Sequence, residues 1–553
     1  MGSIKIFSVF KQDKHILIFI ILFLFAFIFK FILLAQRTKY FIDPDEGYYL
    51  ILARNLVESK GYAFNGLPNI IFPPFLPLLI GLFFFVFKDF IFSLNLITAL
   101  SGVIIGFIVY EISKKKLSLP GKLGVAILAL FIYQLNAFIP LSSRYIKVLY
   151  RGSDILNVLL IITSLYFIIK LVEENQNKFS ILSGLFLSLA YLTRPEAFIL
   201  YILLIFILII FKFFSLGGLS YQKIISFVFT FMILASPYIL YLQQTTGQWM
   251  ISGKITAAQK YRNTLLKVIE NEDWSSFFSI HYSLNNELLE IDDVYFGFYK
   301  ETKTENNKLF DIKLKTIWEN LGLYFIIPKT IFPLYLLPFF LLGLWKAILD
   351  LKKKKNSYDV ILLILFPYSL LIEVLSYPIP RHHLFLLPVF IYYSVQGIIF
   401  LSSKFSRKNL ITKRKMESFI LVLIIGLIIN TYIKNIPKSL FLNPRFERAK
   451  EVEVRISQIL KEKKAEVIMS THPEFAVRAQ SDWQVLPIGS LQDIVCFALK
   501  KEVDFIILRE KNKLYYHIID ISNNLLKPKK LEKPVDFHII ERNDYFDFWI
   551  LSE

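Results

Sequence analysis

Cysteine is almost absent from this chain. Cys496 is the single one among 553 residues, so no internal disulfide is possible. The sequence also lacks a Walker loop and the glycine fingerprint of a dinucleotide-binding domain, and we expect no site for a soluble nucleotide. It has no internal repeat and no low-complexity linker. The missing repeat counts against a secondary transporter, because transporter halves are often related.

Apolar residues dominate instead. The chain is 55% hydrophobic and 16% aromatic, with 55 phenylalanines, and its mean hydropathy is +0.53. Repeated apolar runs of about 18 residues or more predict a polytopic α-helical membrane protein. The formal net charge is +19, but the lysines and arginines cluster in short loops between apolar runs. This is the positive-inside pattern, and it calls for no nucleic acid partner.

The basic loops predict the topology. Lys5, Lys11 and Lys14 precede the first apolar run, which we interpret as a signal anchor with a cytoplasmic N-terminus. We expect Lys30, inside that run, to snorkel outward. About eleven spans are predicted, near residues 16–35, 90–112, 120–141, 155–172, 180–193, 196–212, 223–243, 330–349, 358–376, 383–402 and 417–434. The apolar stretch 70–87 must then lie against the outer surface rather than cross, with Pro73 and Pro74 at its start.

The predicted outer face receives the loops 37–89, 142–154 and 244–329 and the segment after residue 435. We predict two domains, a transmembrane catalytic domain over 1–435 and an exoplasmic α/β domain over 436–553. In the second domain, "AEVIMST", "WQVLPIG", "VDFIILRE" and "FHIIERNDYFDFWIL" predict strands, and "RFERAKEVEVRISQILKEKK" and "LQDIVCFALKKE" predict helices.

The stretch "FIDPDEGYYLILARNL" (41–56) places three carboxylates directly after the first span. Asp43 and Glu46 with Pro44 between them form a capping box with proline at the first helical position. Capping does not explain Asp45, which shares a helical face with Tyr49 and two leucines. A carboxylate on an apolar face is costly unless it has a partner or a task.

Several motifs together resemble one family. "PDEGYYLILARNL" followed by "FPPFLPLLIGL" is similar to the first outer loop of the GT-C glycosyltransferases. The resemblance is greatest to the dolichyl-phosphate-mannose protein mannosyltransferases and aminoarabinose transferases (the PMT_2, or glycosyltransferase-39-like, group). "LTRPEAF" resembles the later Thr-Arg-Pro turn of that group, and "PIPRHHLFLLPVF" its arginine-containing turn. The similarity covers roughly residues 15–435 and implies the GT-C fold.

The resemblance also implies site residues. Asp45, with Glu46, takes the position of the catalytic base, and Asp154 takes that of a second acidic residue in the next outer loop. Many relatives have glutamate there with fewer basic neighbours, and a plain helix N-cap is the alternative for Asp154. For the phosphate of the donor, cationic side chains are expected, namely Arg194, Arg381 and His382. Tyr49 is assigned to the acceptor or loop region. For Arg194 a tight interfacial turn is the alternative.

The expected function is inverting transfer of a sugar from a polyprenyl-phosphate donor to a hydroxyl acceptor at the outer face of the cytoplasmic membrane. The acceptor is a glycan, a lipid or a protein. Two alternatives stay open, a lipid-linked glycan ligase or oligosaccharyltransferase, and a lipid-linked sugar transporter or flippase. No metal ligand set is evident, although a divalent cation bridging Asp45 and Asp154 stays open.

Overall fold

The computed structural model covers the whole chain and describes the following residues: 14–40, 42, 44–64, 67–114, 117–118, 121–125, 127–129, 152–214, 218–253, 336–352, 357–375, 383–405, 415, 418–419, 422, 426, 454–470, 473–485, 498, 501–509, 516–520, 537–543 and 546–551. The chain divides into two compact units. The helical unit comprises Met1–Ala35, Phe92–Leu240 and Ile312–Leu440, and the loop–sheet unit comprises Gln36–Ile91, Tyr241–Asp311 and Phe441–Glu553.

Helices account for most of the described chain before residue 440. In chain order they are α1 (Lys14–Tyr40), α2 (Pro44–Val57), α3 (Phe75–Phe87), α4 (Phe90–Ser113), α5 (Gly152–Glu174), α6 (Asn177–Tyr191), α7 (Ala197–Phe213), α8 (Tyr221–Thr246), α9 (Leu337–Lys352), α10 (Ser357–Leu363), α11 (Leu365–Leu375) and α12 (Leu386–Phe405). Within the described residues, 4 helices are long and apolar enough to cross a membrane, namely α4, α5, α8 and α12. The predicted spans near 120–141 and 417–434 lie largely outside the described residues.

The apolar stretch 70–87 forms a short helix. Helix α3 has 13 residues with Pro74 at its N-cap, as the paired prolines predict. At about 1.5 Å per residue it reaches about 20 Å, short of the roughly 30 Å hydrocarbon layer. Its length therefore fits a helix that does not cross the bilayer.

Lys30 does not snorkel, and that prediction was wrong. Its exposed fraction is only 2%, and its ammonium group packs on α4 where Gly102 has no side chain. A Cβ at Gly102 would lie 2.6 Å from Lys30 Nζ. Because glycine leaves the backbone bare, the lysine tail finds room inside the helical unit instead of extending along α1.

Small residues bring neighbouring helices of this unit together. Ser164 of α5 and Ser183 of α6 are buried, and their hydroxyl oxygens lie 2.9 Å apart. Helices α9 and α12 approach even more closely. A Cβ at Gly343 would collide with the carbonyl oxygen of Tyr393, and one at Gly397 with that of Phe339. Glycine and serine at these points allow the backbones to approach, as is common between membrane helices.

The loop–sheet unit contains the first loop and the C-terminal segment. In the first loop, strands β1 (Ala63–Phe64) and β2 (Leu67–Pro68) form a small hairpin. The C-terminal segment has a four-stranded sheet of order β4-β3-β5-β6, made of β3 (Val467–Ser470), β4 (Asp482–Val485), β5 (Phe505–Arg509) and β6 (Tyr516–Asp520). Strand β3 is parallel to β4 and β5, and β6 is antiparallel to β5. A short helix α13 (Glu474–Ala479) joins β3 to β4, and β7 (Phe537–Asn543) pairs antiparallel with β8 (Phe546–Leu551).

Most of the predicted α/β pattern is present. Strands β3, β4 and β5 fall in the predicted segments, and the predicted 537–551 strand is a two-stranded hairpin. Strand β6 and helix α13 were not predicted. The division at residue 435 and the exoplasmic position of the C-terminal segment stay predictions.

Candidate active site

Helix α2 carries the acidic pair of the first loop. It begins at Pro44, and Asp45 and Glu46 lie in its first turn, where negative charge favours the helix N-terminus. Asp45 is half-buried, whereas Glu46 is only 3% exposed. Glu46 is therefore the more deeply buried of the two carboxylates. Asp43, the other half of the predicted capping box, lies outside the described residues.

Tyr49 lies one turn further along α2. It is buried, and its ring meets the ring of Phe72 edge-on with 5.1 Å between centroids. Its assignment to acceptor binding stays a prediction.

Charged residues surround the C-terminal end of α2. Arg54 donates to Glu58 at 2.7 Å, and Lys60 Nζ lies 2.7 Å from Asp482 Oδ2 and 3.0 Å from Glu58 Oε2. Partial burial alone would raise the pKa of Glu58, but hydrogen bonds from Arg54 and Lys60 outweigh it and lower that pKa. Burial likewise acts to lower the pKa of Lys60, and the hydrogen bonds to Asp482 and Glu58 raise it. Both groups are therefore charged at neutral pH.

In the helical unit, Asp154 and Arg194 form a buried ion pair. Asp154 is in the first turn of α5, and Arg194 lies in the turn between α6 and α7. A guanidinium nitrogen of Arg194 contacts Asp154 Oδ1, and another lies 3.4 Å from Glu196 Oε1. The side chains of Asp154 and Arg194 are only 1% and 6% exposed. Asp154 is therefore not merely an N-cap, because its carboxylate is held by a cation from the turn between α6 and α7.

The local sequence explains how Arg194 reaches this position. Helix α6 ends at Tyr191, the Thr193 hydroxyl donates back to the carbonyl of Leu189 at 2.8 Å, and Pro195 prevents the helix from continuing. Helix α7 then begins at Ala197. The turn "TRPE" thus presents an arginine and a glutamate inward. The turn named as the alternative for Arg194 is present, and its assignment to the donor phosphate stays a prediction.

Two further polar groups face the ion pair. Asn157 and Tyr368 line a cavity together with Asp154, Arg194 and Glu196. Asn157 Oδ1 and the Tyr368 hydroxyl are buried, and neither has a hydrogen-bond partner in the part of the chain that the structure describes. The cavity has room for about one water molecule, so it accommodates a single polar atom and not a sugar ring.

The cluster has more negative than positive charge. Two carboxylates face one guanidinium, so Arg194 would bind a phosphate only by giving up at least one carboxylate. A metal is no better matched here, since Arg194 already occupies Asp154 and repels a second cation. Among the described residues no group of three His, Cys, Asp or Glu side chains could hold a metal ion.

Arg381 and His382 lie outside the described residues, so their donor-phosphate assignment stays a prediction. The next residue, His383, is buried, and its Nδ1 lies 2.5 Å from the hydroxyl oxygen of Ser369. Sequence reasoning assigned no site role to Asn157, Glu196 or Tyr368. Glu196 had a signal, because it is a charged residue between two apolar runs, whereas Asn157 and Tyr368 look like ordinary residues of apolar helices.

The chain is similar to known proteins at two levels. Residues 72–241 match the family model described as dolichyl-phosphate-mannose-protein mannosyltransferase (PMT_2). The matched segment contains Asp154 and Arg194, and it begins after Asp45 and Glu46. No curated protein sequence matches the chain.

Solved structures are similar to most of the chain at low identity. The apo oligosaccharyltransferase of Archaeoglobus fulgidus is 12% identical, with a TM-score of 0.51 over 91% of this chain and 70% of that chain. The same enzyme with Zn and sulfate is 12% identical, with a TM-score of 0.50 over 88% and 67%. ArnT from Cupriavidus metallidurans bound to undecaprenyl phosphate is 11% identical, with a TM-score of 0.48 over 88% of each chain.

The family match includes the segment that carries Asp154 and Arg194. The similarity to the oligosaccharyltransferase is one of fold and extends over 91% of this chain. Both agree with the ordered motifs from the first loop to the Thr-Arg-Pro turn. Residues 72–241 are thus similar to the PMT_2 mannosyltransferases, and the fold of the chain is similar to that of the archaeal oligosaccharyltransferase.

Proposed function

We propose that this protein is an inverting glycosyltransferase that moves one sugar from a polyprenyl-phosphate donor to a hydroxyl acceptor at the outer face of the cytoplasmic membrane. The observation that carries the proposal is the Asp45–Glu46 pair in the first turn of α2, directly after the first apolar helix. The family description supports the donor class, because dolichyl-phosphate-mannose is a polyprenyl-phosphate sugar.

In the proposed reaction Asp45 accepts the proton of the acceptor hydroxyl. The acceptor oxygen forms a bond to the anomeric carbon while the bond from that carbon to the phosphate oxygen breaks. The electron pair leaves with the polyprenyl phosphate, and the anomeric centre inverts. An aspartate with an ordinary pKa of about 4 is a weak base, so proton transfer comes late, when bond formation has acidified the hydroxyl. Glu46 is the second carboxylate of this pair.

The leaving phosphate develops negative charge that cations stabilise. Arg381 and His382 are the proposed ligands, because a guanidinium fork matches phosphate oxygens. We assign Arg194 to the same phosphate, which it would bind after releasing one of its two carboxylate partners. Without donor, Arg194 holds Asp154. The donor is already activated, so the reaction needs no nucleoside triphosphate. The proposed mechanism contains no metal-dependent step.

Two alternatives lead to different products. A lipid-linked glycan ligase or oligosaccharyltransferase would transfer a preassembled glycan, and a transporter or flippase would transfer nothing. Incubation of purified protein with radiolabelled polyprenyl-phosphate hexoses and pentoses and an envelope extract, followed by mass spectrometry, distinguishes them. We expect the acceptor mass to increase by one sugar. An increase by several sugars would favour the ligase, and no covalent product would favour the transporter.

Asp45→Asn tests the catalytic assignment in the same assay. It keeps the size of the side chain and removes the base, so we expect transfer to fall by at least about 100-fold. Asp89→Asn is the matched control, because Asp89 is an exposed aspartate between α3 and α4, and its activity should be unchanged. Full activity of Asp45→Asn in folded, membrane-inserted protein would remove Asp45 as the base.

A further inference from the structure

The C-terminal segment contacts α2 immediately after its acidic pair. Within the loop–sheet unit, Gly47 packs against Pro473, the residue that precedes α13. A Cβ at Gly47 would lie 2.7 Å from Pro473 Cγ and 3.8 Å from the backbone nitrogen of Glu474. A proline ring is rigid, so this approach requires glycine at position 47.

The next residue of α2 is held by aromatic rings. Tyr48 stacks on Phe72 with 5.2 Å between centroids, and it meets Phe64 and Trp483 edge-on at 5.4 Å each. Tyr48 and Trp483 are both buried. Stacked and edge-on ring pairs stabilise a contact beyond the apolar area that they bury, because their geometry is specific. The ring cluster therefore fixes the position of Tyr48 and does not only cover it.

Trp483 is itself fixed by the sheet. It lies in β4 beside β3, and its indole N–H donates to the carbonyl and to the hydroxyl of Ser470, both at 3.1 Å. Ser470 is the last residue of β3, and α13 with Pro473 follows it. Pro473 follows the end of β3, and Trp483, which pairs with Ile468 in the neighbouring strand, is tied to that end by its hydrogen bonds to Ser470. The β3–β4 pair of the sheet therefore presents both residues to α2.

We infer that the C-terminal sheet sets the position of the Asp45–Glu46 turn, with Pro473 and Trp483 as positioning residues. The inference rests on the proposed function for the meaning of that turn. Gly47 and Tyr48 belong to the same helical turn as Asp45 and Glu46, so a shift of the contact moves both carboxylates as a body. Displacement of a reacting group by about 1 Å lowers rates by about 100-fold. The C-terminal segment thus acts on the chemistry, which a domain that only stabilises the fold would not do.

A compensating pair of substitutions tests the contact. Gly47→Ala places a methyl group against the Pro473 ring, so we expect kcat per folded molecule to fall about 10- to 100-fold while KM for the polyprenyl-phosphate sugar changes less than about 3-fold. Pro473→Ala removes the ring. The double variant Gly47→Ala with Pro473→Ala should recover at least about 10-fold of the lost kcat. Unchanged kcat in Gly47→Ala, or no recovery in the double variant, would overturn the inference.

Ile506→Ala separates positioning from general stability. Ile506 is buried in the middle of β5, paired with Met469 of β3 and Ile519 of β6. Its truncation should lower the melting temperature of the protein and leave kcat per folded molecule unchanged. If it reduced kcat as much as Gly47→Ala does, the sheet would serve only stability and the inference would fail.

Hydrogen exchange tests the same coupling without any substrate. Trp483→Ala should increase deuterium uptake in the peptide 44–57 of the full chain, whereas Trp483→Phe, which keeps a ring beside Tyr48, should increase it less. Unchanged uptake in Trp483→Ala would overturn the positioning role even in an active enzyme. If the exchange result holds and the wild type transfers no sugar, the proposed function fails and the coupling stands.

Discussion

Arg194 lies between two carboxylates inside the helical unit, and the balance of charge among the three residues decides how each can act. Asp154 and Glu196 together outnumber it, and the nearby Asn157 and Tyr368 side chains face a cavity of about one water molecule. Removal of either carboxylate leaves a neutral pair, whereas removal of the arginine leaves two carboxylates facing each other.

Arg194→Gln should therefore destabilise the protein far more than Glu196→Gln. Loss of one member of a buried ion pair costs about 3–5 kcal/mol when the remaining charge is uncompensated. We expect that cost for Arg194→Gln and a smaller one for Glu196→Gln, which keeps the Asp154–Arg194 pair. Unfolding curves in detergent micelles measure both. Equal losses for the two variants would show that charge balance does not govern this cluster.

At the scale of elements, helix contacts depend on residues too small to appear in any motif. Helices α9 and α12 touch through reciprocal glycines, each lying on a backbone carbonyl of the other helix. Apolar helix surfaces give no hydrophobic preference between protein and lipid, so close backbone approach has to supply the association.

Gly343→Ala and Gly397→Ala should each force α9 and α12 apart. Overpacking of this kind costs about 1–3 kcal/mol or more, which outweighs the gain of about 1 kcal/mol in helix propensity from glycine to alanine. Gly426→Ala is the matched control, because a Cβ there meets nothing within 4 Å. Thermal unfolding and yield of folded protein are the measurements. A melting temperature in either variant equal to that of Gly426→Ala would contradict the close contact.

At the scale of the whole molecule, the side of the membrane that each segment faces decides where the chemistry takes place. The lysine pattern predicts that the first loop lies outside and that the junction between α5 and α6 lies inside. The single cysteine makes this measurable, because Cys496→Ser leaves a background without any thiol.

In that background, Ser59→Cys should react with a membrane-impermeant maleimide in intact cells. Lys178→Cys should react only after permeabilisation, because it lies in a predicted cytoplasmic loop. Ser59 and Lys178 are both exposed, so access to the thiol depends on the membrane side alone. Labelling of Lys178→Cys in intact cells, with Ser59→Cys protected, would place Asp45 in the cytosol and rule out transfer at the outer face.

The sequence by itself determined the apolar helices, the proline start of α3, the strands β3, β4 and β5, and the acidic turn of α2. These features depend on hydropathy, on backbone restrictions and on turn chemistry, all of which act between near neighbours in the chain. The same locality explains the errors. Segments as short as β6 and α13 have weak local signals, and Lys30 looks like a snorkelling residue until Gly102 is known to face it.

Only the tertiary structure decided which charged and aromatic residues meet. Asp154 lies in α5, whereas Arg194 lies in the turn between α6 and α7. Gly47 and Pro473 are more than four hundred residues apart in the chain. An apolar face can pack against many partners, and its choice depends on the fit of all side chains at once. For that reason the family motifs predicted Asp45, Asp154 and Arg194, while the contact between α2 and the C-terminal sheet came from the fold.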